Sequence, residues 1–106
     1  MSFNIDETLK EMAEAIKAVF VEEWPKVRGC VKKAIEEERD ALAEIARVRL
    51  AGEIDDEELK SQLEDERLVL EAALEVCKLE EKVAIQKAVN AALKVLEEAI
   101  KSCLPG

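Results

Sequence analysis

"RLAGEIDDEEL", residues 49–59, decides how this chain folds. Gly52 suits the position just past a helix end, where a left-handed backbone closes the last turn and costs glycine little. Asp55 can cap a new helix, and Glu58, three residues on, completes an aspartate version of the capping box. Asp56, Glu57 and Glu58 then occupy a first turn, where the helix dipole favours negative charge. The stretch reads as one helix ending and another beginning within about four residues, which sets the flanking segments antiparallel.

Both flanks carry helical periodicity. Upstream, Ile5, Leu9, Met12, Ile16, Phe20, Trp24, Val27, Val31, Ile35, Leu42, Ile45 and Val48 keep one face in phase; downstream, Leu59, Leu63, Leu70, Leu74, Cys77, Ile85, Ala88, Ala92, Leu96 and Cys103 do the same. The expected fold is all-α: a long antiparallel helical hairpin with helices over about 5–51 and 56–103, one domain spanning 1–106. Each limb would be roughly 70 Å long at 1.5 Å per residue. Pro25 must kink or break the first limb, because it lacks an N–H and clashes with the preceding turn. The unbroken stripe and the absence of a capping residue at Trp24 favour a kink. A break would give three helices, the first packing on the last half of the third.

Composition supports helices. Hydrophobic residues make up 49% and charged residues 39%, with three Gly and two Pro, the profile of long helices of the coiled-coil kind. Aromatics at 3% are too few for a β-sandwich core. A net charge of −9 argues against nucleic acid and against anionic membrane surfaces, both of which need a basic stripe. No apolar run approaches the ~20 residues of a membrane span. The first residues lack the basic and apolar regions of a signal peptide, so the expected location is cytoplasmic, where cysteines stay reduced.

If Ala51 faces Asp56, facing residues have numbers that sum to about 107, which sets Cys30 opposite Cys77 and Trp24 opposite Val83. Such a cysteine pair can be a disulfide, half of a thiolate metal site, or a layer of small apolar side chains. The chain has no histidine and no further cysteine near enough to complete a zinc set, so the reading taken is the packing layer, with no metal and no cofactor. Cys103 reads as a passive helix residue.

Beyond residue 68 the second helix has an additional apolar row, Val69, Ala72, Val76, Leu79, Val83, Leu93 and Ile100, and the first widens over residues 12–24. An isolated hairpin would leave these rows in water, and exposed apolar area of that extent marks association. The expectation is a homodimer forming a four-helix bundle, its interface drawn from Met12, Ile16, Phe20, Trp24, Val76, Leu79, Val83, Gln86, Asn90, Leu93 and Ile100. Gln86 and Asn90, four apart, can hydrogen-bond each other and fix the register.

Acidity is concentrated. Residues 53–66 carry eight acids and one base, against a total net charge of −9. Helix capping accounts for part of this; Asp55, Asp56, Glu57, Glu58, Glu64, Asp65 and Glu66 together form an acidic tip suited to a basic protein partner. Bases gather in "KVRGCVKK", where Lys26, Arg28, Lys32 and Lys33 follow the proline.

The catalytic inventory is thin. Without His or Tyr the commonest acid–base groups are missing, Ser2, Ser61 and Ser102 have no base to activate them, and no glycine-rich phosphate loop exists. Helical carboxylates remain. Glu11-x-x-Glu14 followed by Glu37-x-x-Asp40 resembles the E-x-x-E…E-x-x-D pattern of all-α nucleoside triphosphate pyrophosphohydrolases of the MazG type. The resemblance covers four positions and implies Mg²⁺ held by those carboxylates in a helical oligomer. In one straight helix the two pairs lie over about 30 Å apart, so the site requires a chain reversal around Pro25–Gly29.

Three functions follow in order of support from the residues. The first is a non-catalytic helical interaction, assembly or small regulatory protein. The second is an acidic inhibitor or nucleic-acid mimic that binds a basic partner through residues 53–66. The third is a Mg²⁺-dependent pyrophosphohydrolase.

Overall fold

Pro25 breaks the first limb, and that break changes the architecture. In a computed structural model describing residues 2–105, the helices are α1 (Ile5–Val19), α2 (Trp24–Glu37), α3 (Arg39–Leu50), α4 (Asp56–Val76) and α5 (Lys82–Ser102). Pro25 lies in the first turn of α2, where its missing N–H breaks no helical bond. Residues 20–23 turn the chain, and Phe20 folds inward to 2% exposure. Full burial of a phenylalanine stabilises by about 2–3 kcal/mol, more than the absent side-chain cap at Glu23 costs. The expected kink is therefore a break. Asn4, unread as a signal in the sequence, caps α1 by accepting from the Glu7 N–H at 3.0 Å.

Two further interruptions depart from the expected pair of continuous limbs. Glu38 separates α2 from α3 with φ −95° and ψ 3°, without glycine or proline. Five residues, Cys77–Glu81, separate α4 from α5; Lys78 adopts a left-handed φ of 66°, and Glu81 caps α5 by accepting from the Val83 N–H. The longest dimension is 41 Å, so limbs of roughly 70 Å do not occur.

The turn at residues 49–59 forms as its residues dictate. Gly52 has φ +77°, its N–H bonds the Arg49 carbonyl, and the Glu53 N–H bonds that of Val48, the Schellman pattern. Asp55 accepts from the Glu58 N–H at 2.9 Å, and the Glu58 carboxylate accepts from the Asp55 N–H.

Short connections set successive limbs antiparallel. Lys10 and Lys32 line one groove between α1 and α2, and Arg39 donates to Asp6 at 2.9 Å, so α1 runs back along α2. Cys30 bonds to Cys77 and Arg49 donates to Asp56, placing α2 and α3 alongside α4. Lys60 with Glu97, and Arg67 with Asn90, line the groove between α4 and α5. The most extensive packing joins α1 to α5, with Ala15, Ala18, Ala91 and Val95 lining the groove between them. Met12, Ile16, Val31, Leu42, Leu59, Leu70, Leu74, Val89, Leu96 and Ile100 fill a single core.

The cysteine expectation is corrected: Cys30 and Cys77 form a disulfide linking α2 to α4, with Cys30 exposed and Cys77 buried. Cys103 is free. Met1 and Gly106, the ends of the expected 1–106 domain, lie outside the described residues. Among the described residues no helix is long and apolar enough to cross a membrane.

Candidate functional site: the outward face of α4 and the acidic turn

The acidic turn is largely occupied by its own chain. Asp55 and Glu58 serve the capping box; Arg49 binds Asp56 at 3.0 Å and Arg47 binds Glu53 at 3.2 Å. Arg67 joins Glu64 and Glu71, i−3 and i+4 along α4. Its guanidinium holds the Glu64 carboxyl below the usual range. Among the seven acids expected to form a tip, only Glu57 and Asp65 have no ion-pair or hydrogen-bond partner and remain exposed among the described residues, since Glu66 turns inward.

Glu66 meets the carboxyl of Glu38 at the α2–α3 junction. Its Oε2 is enclosed and receives no donor. Burial, then Glu38, then the charge of Asp65 push its carboxyl up to about 7. The adjacent arginines are committed elsewhere, Arg39 to Asp6 and Asp40, Arg67 to Glu64 and Glu71. Protonation of Glu66 removes one of two like charges at this junction.

Of the residues expected at an oligomer interface, Met12, Ile16, Phe20, Trp24, Leu79, Leu93 and Ile100 lie in the chain's own core, none more than 7% exposed. The reason is the break before Pro25, which lets α1 fold back over α5, so that these residues join one core. Val76, Val83, Gln86 and Asn90 stay on the surface. No hydrogen bond joins Gln86 to Asn90; Asn90 instead lines the α4–α5 groove.

Besides Val21 and Val83, the large apolar side chains left exposed among the described residues lie on α4. Leu68 is 58% exposed, Val69 44% and Val76 79%, with Ala72 exposed between them. Residues 69, 72 and 76 follow the 3–4 spacing of a helix seam, and the core residues Leu63, Leu70 and Leu74 occupy the opposite side. Beside this face lies a groove of about 260 Å³ between α4 and α2, lined by Cys30, Lys33, Ala34, Glu37, Ala73 and Val76. The row Val69–Ala72–Val76 is visible in the sequence; Leu68 is not, because it sits at the margin of the stripe.

The four carboxylates of the pyrophosphohydrolase-like pattern are not gathered. Glu14 lines the groove between α1 and α2, whereas Glu37 lines the one between α2 and α4. Among the described residues no three Asp, Glu or Cys side chains are placed to hold a metal ion. The chain matches no protein-family model, no curated protein and no solved structure.

Proposed function

We propose that the chain is a non-catalytic helical interaction protein, an assembly or small regulatory subunit, that works through the outward face of α4. One observation carries this reading. On a surface where charged residues predominate, Leu68, Val69, Ala72 and Val76 form a continuous apolar row along a helix whose opposite side is fully packed. Single exposed apolar residues are ordinary, but a row at seam spacing is a helix-docking surface. Internal ion pairs take up most of the acidic turn, which leaves the second reading, a basic partner at residues 53–66, only Glu57 and Asp65 to act through.

The test is a photo-crosslinking amino acid placed at Val76 in the producing cells, with Lys87 on α5 as the control position. Adducts of raised mass are expected at Val76 and absent at Lys87. Failure to form any adduct at Val76 or at Leu68 would overturn the reading.

A further inference from the structure

The apolar row on α4 ends beside a cluster of unneutralised bases. Lys26, Arg28, Lys32 and Lys33 are exposed and make no ion pair among the described residues, whereas the arginines of α3 and α4 are all engaged. Lys26, Cys30 and Lys33 follow seam spacing, and this side of α2 faces α4: Cys30 is bonded to Cys77, and Lys33 shares a groove with Val76. Toward the other end of the row, one turn before Val69, stands Asp65, exposed and unpaired. The face thus runs from negative, through apolar, to positive.

We infer, building on the interaction reading above, that the occupant of this face is a second copy of the chain, with α4 packed antiparallel on α4 across a two-fold axis at Ala72. A two-fold interface must be self-complementary, and this one is. Leu68 of one copy meets Val76 of the other, and Val69 meets the turn around Glu75. Ala72 meets its own counterpart, and its small side chain allows close helix approach. Asp65 lies seven residues before Ala72, so it reaches the level of the other copy's Leu79, seven residues after. Leu79 lies two residues past Cys77, and Lys26, one turn before Cys30 on the bonded α2, stands near that level. The Asp65–Lys26 pairing occurs twice by symmetry.

Net charge selects this orientation. Each copy carries −9, so approach is opposed everywhere except where one copy offers unneutralised positive charge. The α2 segment offers such charge beside the apolar row, and a parallel arrangement would set Asp65 against Asp65. The seam spans only about two helical turns, which makes the dimer weak and concentration-dependent.

The experiment uses purified chain over a concentration series, its mass read by light scattering during size exclusion. The expected mass rises from 11.8 kDa toward twice that value. Val76→Glu, at a site 79% exposed, holds the mass at the monomer value with helicity unchanged. Lys26→Glu weakens dimerisation about fivefold or more, and adding Asp65→Lys restores it. In a Cys103→Ser background, Ala72→Cys forms a homotypic disulfide. A mass that stays at 11.8 kDa at high concentration, or a charge swap without rescue, overturns the second copy as occupant. Because adducts at Val76 in cells are scored separately, a monomer that still forms them with another protein rejects this inference and leaves the interaction reading standing. Loss of both rejects both.

Discussion

The carboxyl of Glu66 on α4 faces the carboxyl of Glu38, the single residue that separates α2 from α3, and one oxygen of Glu66 is enclosed without a donor. Two like charges thus meet at a helix break. Because Glu66 is raised from 4.5 to about 7, the folded state favours its protonated form. The stabilising contribution is complete below pH ~4.5, declines as pH rises, and is gone above pH ~7. Glu66→Gln, which mimics the protonated carboxyl, should be more stable than wild type at pH 8. Discounted for the part of the side chain that water still reaches, the gain is about 1 kcal/mol. Urea melts should converge near pH 5; parallel curves across that range would contradict a raised Glu66 carboxyl.

The opposite sign holds for Asp6 and Glu64. Arg39 and Arg67 depress their carboxyls, so their contributions are present above the ordinary carboxylate range and lost as pH falls. Thermal stability should therefore peak at mildly acidic pH and fall on both sides. Arg39→Ala should flatten the acid limb without altering the alkaline one.

The Cys30–Cys77 bond closes a loop of 47 residues. Chain-entropy arguments for a loop of that size give about 3–4 kcal/mol of stabilisation. Reductant should lower the urea midpoint accordingly, and Cys30→Ser should make the protein insensitive to it. Thiol titration under denaturing conditions should count one free thiol before reduction and three after.

Backbone conformation predicts two substitutions of opposite sign. Lys78 holds a left-handed φ of 66° that glycine adopts without strain, so Lys78→Gly should stabilise by about 1 kcal/mol. Gly52 has φ +77° and open space where a Cβ would go, so Gly52→Ala costs about 1 kcal/mol through backbone strain alone. Chemical denaturation measures both.

Phe20 and Val83, read alike from the sequence as interface residues, should separate sharply. Phe20→Ala removes a core side chain and costs about 3–4 kcal/mol, whereas Val83→Ala, at 71% exposure, changes stability by less than about 0.5 kcal/mol. Equal effects would contradict the placement of α1 over α5.

Local signals were legible and long-range ones were not. The stop at Gly52, the cap at Asp55 and the box with Glu58 involve residues within one turn of each other, so residue type alone specifies them. The pairing of Cys30 with Cys77 followed from counting outward from that turn. The break before Pro25 was not legible, because an in-phase apolar stripe looks the same whether it continues or folds back. Phe20 is buried either way; only the partner changes, from a second chain to the chain's own core. The interruption at Glu38 had no signal in glycine or proline. The contact of Glu66 with Glu38 opposes the usual pairing of unlike charges, so charge patterning pointed away from it.

The disulfide also alters how the molecule is connected. Cys30 and Cys77 make a covalent ring from the middle of α2 through α3, the exposed turn and α4, with α1 and α5 attached outside it as two tails. Every residue of the Gly52–Asp55 turn therefore lies within a closed circuit. A protease that cuts there opens the circuit without dividing the molecule: one species persists without reductant, and two fragments separate with it. The acidic turn is thus an exposed connection between helices that can be cut while the chain remains a single covalent body.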